Sequence, residues 1–200
     1  MSTPRATPSY GWPNQLLEAL FPYRRTSATV LLLIHVGWLM LLGRPWGCSC
    51  GDTLSWQAVE GVQHNSQHVA DWYALLHFGF GMVVLLALRW LRPHWRLRDG
   101  ALVALLSSTL WELAENTPLL IRLLGNAGNL APDYHGDSII NSMADSGFVL
   151  LGFWLASRLR PTFAVAMIVG VELAVSLAIG DGWLLVVGRL AASGLRAVVS

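Results

Sequence analysis

Long apolar stretches separated by short polar segments dominate this chain. The stretches cover about residues 28–42, 69–91, 100–124, 137–159 and 161–187. Each is near the roughly 20 residues that a helix needs to cross about 30 Å of hydrocarbon. Structures that span a bilayer are helices or closed barrels, and these stretches are too long and continuously apolar for barrel strands. The pattern therefore predicts an all-α membrane protein, a polytopic bundle of about five transmembrane helices.

The positions of the arginines predict how these helices are oriented. Cytoplasmic loops of membrane proteins carry an excess of basic residues. With a cytoplasmic N-terminus, nine of the thirteen basic residues, all arginines, lie on the cytoplasmic side. The predicted organisation is a cytoplasmic N-terminal tail at 1–25, a single transmembrane helical bundle domain at 26–188 and a C-terminal tail at 189–200. Two arginines in the last tail leave a re-entrant final helix as an alternative.

The composition agrees with a membrane protein. Hydrophobic residues make up 54% of the chain and charged residues only 12%, whereas a soluble domain carries about a quarter charged residues. A net charge of +1 gives no reason to expect a nucleic acid as partner. We therefore expect a multi-pass protein whose partners are membrane lipids and not nucleic acid.

Polar residues interrupt the predicted fourth helix at a helical spacing. Asp137, Asn141 and Asp145 are four residues apart and share one stripe, which Ser138 widens. A charged side chain at the bilayer centre costs about 2.5–3.5 kcal/mol on insertion scales. The stripe is therefore expected to face a partner, a cavity or a ligand.

The predicted third helix carries a similar face. Glu112, Glu115 and Asn116 stand at positions i, i+3 and i+4. Pro118 is expected to break the helix beside them, because proline has no N–H to donate. The alternative for these carboxyl groups is a packing role, with hydrogen bonds to His or Asn of neighbouring helices.

The predicted second helix brings further polar residues to the same half of the bilayer. His68 and Asp71 lie at its outer end, and His77 lies six residues, about 9 Å, deeper. His77 is also consistent with a simple hydrogen bond to a neighbouring helix. The combined prediction has catalytic residues Asp137, Asp145, Glu115 and His77, lining residues Asn116, Asn141, Ser138 and Glu112, and metal ligands Asp71 and His68.

Cysteine and histidine pairs stand in the predicted loop after the first helix. Cys48 and Cys50 form a Cys-x-Cys pair, which can bind a soft metal or form a strained disulfide. Two thiolates make an incomplete metal site, so a glycine-rich turn with incidental thiols is an equal alternative. His64 and His68 have a metal-ligand spacing that is also typical of an interfacial hydrogen-bonding pair. His35, within the first helix, is interpreted as a packed or interfacial histidine.

Three segments of the predicted site combine into a specific pattern. They are 66–73 followed by His77, 111–116, and 133–145, the last of the form Asp-Tyr-x-Gly-Asp-Ser-x-x-Asn-Ser-x-x-Asp. Together they resemble an uncharacterised bacterial integral-membrane protein family, over most of the chain. At 179–183 the chain reads Ile-Gly-Asp-Gly-Trp, where the family is expected to have an Arg-Asp-Asn-Leu-type motif. The resemblance implies a protein of the bacterial inner membrane and supplies no reaction.

The predicted polar site is compatible with three classes of function. The first is a membrane-embedded hydrolase or transferase of a lipid-linked substrate, which works with a divalent metal ion or by aspartyl-type acid–base chemistry. The second is a small ion- or proton-coupled transporter or binding protein. Five spans are few for a transporter, and a homodimer would weaken that objection. The third is a structural or assembly factor whose polar residues fix helix packing.

Overall fold

The computed structural model describes residues 12–57, 61, 64–124 and 134–188, and in these ranges the chain is built of helices. In chain order they are α1 Trp12–Leu20, α2 Arg24–Leu41, α3 Trp72–Leu91, α4 Leu97–Glu115, α5 Pro118–Leu124, α6 Ile139–Arg158 and α7 Pro161–Ile179. A 3-10 turn at Phe21–Tyr23 joins α1 to α2, and an isolated β-bridge pairs Trp56 with Ala70. The prediction of an all-α protein is confirmed for the described residues.

Three helices in the described ranges, α3, α6 and α7, are long and apolar enough to cross a membrane. They correspond to the second, fourth and fifth predicted spans. The first and third predicted spans fall in α2 and α4, which do not reach the same combination of length, hydropathy and low charge. Five spans, a cytoplasmic N-terminus and the two tails stay predictions, and residues 1–11 and 189–200 lie outside the described residues.

A serine cap sets where α6 begins. Ser138 Oγ accepts a hydrogen bond from the N–H of Asn141 at 3.2 Å, and Ile139 is the first helical residue. The prediction that this helix starts at residue 137 is therefore wrong. Asp137 precedes the cap and lies in the loop, so it does not share a helical stripe with Asn141 and Asp145.

A break at Asn116 and Thr117 divides the third predicted span into two helices. α4 ends at Glu115 with Asn116 at its C-cap, and Pro118 begins α5. Proline suits the first position of a helix, because the N–H that it lacks would have no intrahelical partner there. The predicted local break beside Pro118 is confirmed, and a continuous helix over 100–124 is not formed.

The fifth predicted span is also two helical segments. Gly180 adopts the left-handed conformation, with φ 63° and ψ 24°, and ends α7. Residues 183–188 are helical again, and the Glu172 carboxylate accepts the N–H groups of Trp183 (3.1 Å) and Leu184 (2.9 Å) at the start of that segment. Asp181 accepts a hydrogen bond from the Tyr73 hydroxyl at 3.0 Å. Glu172 and Asp181 thus hold the corner that ends α7.

Close backbone contact joins α3 to α6, the central helix of the bundle. α6 packs mainly against α3 and α4, while α3 also packs against α7 and α4 against α2. A Cβ atom at Gly81 would meet the Val149 carbonyl oxygen, and one at Gly152 would meet the Phe78 carbonyl oxygen. Small residues that let two backbones touch are typical of helix pairs in membranes.

The two ends of the bundle differ in chemistry. At the apolar end, side chains of four helices form a close-packed core: Met82, Leu85, Ala104, Val149, Phe153, Ala156 and Ala164. At the polar end, Glu112 meets Ser142 and Ser108 meets Ser146. These pairs show that α4 runs antiparallel to α6. The last turns of α4 therefore lie beside the first turns of α6.

The described parts of the α2–α3 loop, residues 42–57, 61 and 64–71, cover the polar end. The backbone N–H groups of residues 138–140 donate to its carbonyl oxygens at Ser66 (2.9 Å), Pro45 (2.9 Å) and Trp46 (3.1 Å). The first N–H groups of a helix have no intrahelical acceptor and must find one elsewhere. The loop supplies these acceptors, so it fixes the start of α6.

Candidate functional site

Carboxylates and histidines from four helices meet inside the polar end. We call this set the carboxylate–histidine site; its members are His35 of α2, His77 of α3, Glu112 and Glu115 of α4, and Ser142 and Asp145 of α6, with Asn116 and Asp137 at the adjoining helix ends. His35 and Glu112 are fully buried, and Asp145 is 3% exposed. Buried charged groups are costly unless they are paired or bind a ligand, so the contacts of each member matter.

Glu112 is hydrogen-bonded across two helices. Ser142 Oγ donates to Glu112 Oε2 at 2.6 Å, and His35 Nε2 lies 2.7 Å from the same hydroxyl. Because Ser142 gives its proton to Glu112, His35 Nε2 is the donor to Ser142. The sequence predicts only that His35 is a packed or interfacial histidine and does not predict its hydrogen bond to Ser142. Its partner is 107 residues away, so no local pattern in the sequence marks it.

His77 lies between two carboxylates. Its Nδ1 is 3.5 Å from Glu112 Oε1, and its Nε2 is 3.8 Å from Asp145 Oδ2. Both separations exceed the roughly 3.2 Å limit of a good N–H···O hydrogen bond. One ligand-type atom of each of the three residues lies within 4.8 Å of the others. This spacing suits three ligands of one cation.

Glu112 also belongs to a second close group of carboxylates. Ligand-type oxygens of Glu112, Glu115 and Asp137 lie within 4.8 Å of one another. Like charges at such a distance oppose each other's ionisation. The site therefore favours a bound cation, shared protons, or both.

Several oxygens of this region have no hydrogen-bond partner among the described residues. They are Glu112 Oε1, Asp145 Oδ1, Asn141 Oδ1 and Asp71 Oδ2. An unsatisfied buried polar atom costs about 1–3 kcal/mol, and native proteins rarely keep several together. Two of these oxygens, on Glu112 and Asp145, belong to the residues that flank His77.

Asp137 is held at the junction of α4 and α6. Its backbone N–H donates to Asn116 Oδ1 at 2.9 Å, and Asn116 Nδ2 donates back to Asp137 Oδ2 at 2.6 Å. The Tyr134 hydroxyl donates to the same oxygen at 2.9 Å. Burial raises the pKa of Asp137 to about 6, although the hydrogen bonds from Asn116 and Tyr134 oppose the rise. A carboxyl with this pKa can hold or release a proton near neutral pH.

Arg44 supports this junction from the α2–α3 loop. Its Nη1 donates to the His135 carbonyl at 2.6 Å and its Nη2 to the Asn116 carbonyl at 2.8 Å. The guanidinium also fills the space beside Gly136, where φ is 94° and a Cβ atom would meet it. Glycine tolerates this conformation without steric cost. The partners of Arg44 are 91 and 72 residues away in the chain, so no local pattern in the sequence predicts this role.

The predicted metal ligands Asp71 and His68 have different contacts in the structure. Asp71 Oδ1 accepts the N–H groups of Tyr73 (2.8 Å) and Ala74 (3.1 Å) and so caps α3. Among the described residues, the groups suited to a metal ion include His68 without Asp71. The lining residue Asn141 contacts His68 through the backbone, donating from Nδ2 to the His68 carbonyl at 2.7 Å.

The His68 ring belongs instead to a group in the α2–α3 loop. Cys48, Cys50, His64 and His68 each place one ligand-type atom within 4.8 Å of the others. We call these four residues the loop cluster. In the sequence, the cysteine pair and the histidine pair are separate motifs, and the two cysteines alone are an incomplete metal site. Their spacing does not show that the folded loop brings the two pairs together.

Comparison with known proteins relates the chain to bacterial relatives. It is 36% identical over 165 residues to a UPF0314 protein of Paracoccus denitrificans, covering 80% of this chain and 82% of the relative. It is 38% identical over 140 residues to a UPF0314 protein of Sinorhizobium fredii, covering 66% and 67%. No solved structure matches the chain.

Residues 39–193 match the family described as "Protein of unknown function (DUF2585)". The matched range includes the α2–α3 loop and most of the carboxylate–histidine site. The resemblance to an uncharacterised bacterial family is thereby confirmed, and the chain belongs to the DUF2585 family.

Proposed function

We propose that this protein is an integral protein of the bacterial inner membrane, with about five spans and a cytoplasmic N-terminus. Its carboxylate–histidine site binds a divalent cation and uses it to hydrolyse or transfer a lipid-linked substrate. The observation that carries the proposal is the pair of buried oxygens, Glu112 Oε1 and Asp145 Oδ1, which have no hydrogen-bond partner among the described residues. Glu112 Oε1 and the other Asp145 oxygen, Oδ2, lie on either side of the His77 ring.

The ligand chemistry favours a divalent cation over an organic group. Carboxylate oxygens suit Mg²⁺ and Mn²⁺, and an added imidazole suits first-row metals such as Mn²⁺ and Zn²⁺. Metal–ligand bonds of about 2.1 Å at angles near 90–110° place ligand atoms about 3.0–3.5 Å apart. His77 Nδ1 lies 3.5 Å from Glu112 Oε1, whereas Asp145 Oδ2 lies 3.8 Å from the other ring nitrogen, Nε2. Glu112 and His77 can therefore bind one cation with little movement, and Asp145 joins them after a shift of its side chain.

The surrounding groups suit hydrolysis or transfer. A bound divalent cation supplies Lewis-acid activation of an acyl or phosphoryl oxygen. Asp137, with its pKa raised to about 6, is the acid that gives a proton to the leaving group. The attacking water or acceptor hydroxyl loses its proton to a site carboxylate, which balances the reaction.

The outer surface of the bundle suits a lipid-linked substrate. Leu33 of α2, Leu110 of α4 and Leu151 of α6 are exposed on the outside of the bundle. A lipid chain can follow these apolar faces while its head group reaches the polar end. Two members of the cation site, His77 and Asp145, lie on α3 and α6, which meet the criteria for crossing a membrane.

A proton-coupled transporter is the second candidate, and one observation favours it. The chain from Glu112 through Ser142 to His35 links α4, α6 and α2 by hydrogen bonds of 2.6 and 2.7 Å. Intramembrane carboxylates and histidines in such chains can relay protons. Proton-driven flux in liposomes, with no change of lipid composition in a deletion strain, would favour this candidate over the enzyme.

Cation binding is tested first with Mn²⁺, which thiolates of the loop cluster do not favour. Purified protein in detergent is titrated with Mn²⁺ and the free ion is followed by electron paramagnetic resonance. Glu112→Gln and Asp145→Asn are expected to weaken binding at least tenfold. Glu172→Gln, a buried carboxyl outside the site, is the matched control. A wild-type protein that binds no Mn²⁺, Mg²⁺ or Zn²⁺ at this site would refute the proposal.

The reaction is tested by comparing the lipids of a deletion strain with those of its parent. A lipid-linked intermediate is expected to accumulate in the deletion strain. Plasmid-borne wild-type protein should remove it, whereas Glu112→Gln should not, at equal protein level. Full complementation by Glu112→Gln would argue that the carboxylate only stabilises packing.

The proposed orientation has its own test. It places the exposed Cys50 on the periplasmic side. In a Cys48→Ser background and with chelator present, a membrane-impermeant maleimide should label Cys50 in spheroplasts. Labelling only in inverted vesicles would reverse the orientation.

A further inference from the structure

The loop cluster is a second ligand set that the proposed function does not use. We propose that Cys48, Cys50, His64 and His68 bind one zinc ion in a tetrahedral Cys2His2 site, and that this site fixes the α2–α3 loop over the start of α6. The proposal does not depend on the carboxylate–histidine site or its reaction.

The distances within the loop cluster match those around a tetrahedral zinc ion. Cys48 Sγ lies 3.4 Å from His64 Nδ1, His64 Nδ1 lies 3.2 Å from His68 Nε2, and Cys50 Sγ lies 4.0 Å from His68 Nε2. Zinc bonds of about 2.3 Å to sulfur and about 2.05 Å to nitrogen place S and N about 3.6 Å apart and two N atoms about 3.3 Å apart. The observed separations differ from these by at most about 0.4 Å. One ion can therefore bind all four atoms with little rearrangement.

The contacts around the loop cluster orient its members as metal ligands. The other ring nitrogen of His68, Nδ1, lies 3.3 Å from Ser55 Oγ, and the Ser55 hydroxyl donates to the Asp52 carbonyl at 3.4 Å. Ser55 Oγ thus accepts a hydrogen bond from the Nδ1–H of His68, and the unprotonated Nε2 can bind a metal ion. This is the usual arrangement of a ligating histidine. The Cys50 N–H donates to Cys48 Sγ at 3.3 Å, which stabilises a thiolate.

The ligand types select zinc. Two thiolates and two imidazoles form one of the standard structural zinc sets, and hard cations prefer oxygen ligands. Neither cysteine forms a disulfide in the structure, and a disulfide within Cys-x-Cys would be strained. Four protein ligands leave no position for a substrate, so the site is structural. Cys48 and His68 are buried, whereas Cys50 is exposed and provides a route for the ion.

Zinc at this position would brace the part of the loop that caps α6. The ion joins residues 48–50 to 64–68, beside the hydrogen bonds from Val69 N–H to the Thr53 carbonyl (2.7 Å) and from Gln57 N–H to the Ala70 carbonyl (2.8 Å). The carbonyls of Ser66 and His68 in turn accept hydrogen bonds from α6 and its cap. Loss of the ion is therefore expected to loosen the start of α6.

The decisive measurement is zinc X-ray absorption on the purified full-length protein in detergent, after equilibration with one equivalent of Zn²⁺. The expected first shell contains two sulfur atoms at about 2.3 Å and two nitrogen atoms at about 2.0–2.1 Å. A shell without sulfur, no bound zinc, or a Cys48–Cys50 disulfide in protein purified under reducing conditions would each overturn the proposal. Because this measurement uses the wild-type protein, it does not depend on a variant that folds.

Variants then locate the site and separate it from the buried one. Cys48→Ser with Cys50→Ser is expected to abolish zinc binding at the loop cluster, seen as the loss of sulfur from the zinc shell, while Ser49→Ala, between the two cysteines, should keep it. Ser55→Ala should weaken zinc affinity about 10- to 100-fold, the usual effect of removing a group that orients a ligand. Unchanged zinc affinity in Ser55→Ala and the double variant would refute the assignment. Mn²⁺ binding to the carboxylate–histidine site is measured in the same variants. Its presence or absence tests the proposed function separately from the zinc site.

Discussion

Asp137→Asn is expected to remove a pH-dependent loss of stability. The carboxyl has an ordinary pKa of 3.8, and burial raises it to about 6 in the folded protein. Below pH 3.8 the group is protonated in both states and contributes no difference. Between the two values the unfolded chain loses its proton while the folded protein keeps it. The unfolded state then binds fewer protons, so stability falls as the pH rises.

The size of this effect follows from the two pKa values. They differ by about 2, and each pKa unit corresponds to about 1.4 kcal/mol, so the folded protein is destabilised by about 3 kcal/mol above pH 6. An asparagine keeps an acceptor for Asn116 Nδ2 and for the Tyr134 hydroxyl, which now donate at 2.6 and 2.9 Å. The variant therefore loses the pH penalty without losing those hydrogen bonds.

The assay is the thermal unfolding of wild type and variant in detergent with a chelator, from pH 4 to pH 8. The two proteins should have similar midpoints near pH 4, and the variant should become the more stable protein as the pH passes 6. Asp52→Asn, in an exposed part of the α2–α3 loop, controls for the removal of one carboxylate. Parallel pH profiles for wild type and Asp137→Asn would show that Asp137 is ionised with little cost, and the reasoning would fail.

Three further substitutions test the packing that positions the site. Gly81→Ala places a Cβ against the Val149 carbonyl and should lower stability by about 1–3 kcal/mol in thermal unfolding; Gly147→Ala, where nothing lies within 4 Å, should have little effect. Ser142→Ala leaves buried partners on α2 and α4 unsatisfied and should cost about 1–3 kcal/mol, a loss that Ser142→Thr should reduce. Ser138→Ala removes the α6 cap and should cost about 1 kcal/mol, seen as faster amide exchange in the first turn of α6.

The hydrophobic pattern predicts much of the fold because helix formation in lipid depends on local properties of the chain. A helix forms all its backbone hydrogen bonds within one segment. An apolar stretch can therefore be recognised as a helix without knowledge of its neighbours, and α3, α6 and α7 coincide with such stretches. The helix ends depend on single residues instead. Gly180 ends α7 and Ser138 caps the start of α6. Both residues lie inside the predicted spans 161–187 and 137–159, so the hydrophobic pattern does not mark these helix ends.

The candidate site could be predicted only where its residues lie on one continuous helix. Helical spacing identifies Glu112 and Glu115 as one face, because both residues lie on one continuous helix. Spacing fails for Asp137, which has the i+4 relation to Asn141 but precedes the helix. It also cannot find His35 or the full loop cluster, since their partners are brought together by tertiary contacts and a long loop.

α2 and α4 do not meet the criteria for a membrane span although the hydrophobic pattern predicts spans there, and each has an outward apolar face and an inward polar face. Leu33 of α2 and Leu110 of α4 are 67% and 59% exposed, whereas His35 and Glu112 of the same helices are fully buried. An average over the whole helix combines the outward apolar face with the inward polar face. Lipid would contact only the outward face, and polar residues that face the interior of a bundle are tolerated. The site residues are only part of what reduces the hydropathy: in α4, Glu112 and Glu115 act together with Arg98 and Asp99 of the first turn, and in α2 the first-turn residues Arg24 and Arg25 outweigh His35. Charged residues at a helix end can lie at the membrane surface, so they do not oppose a span in the rest of the helix.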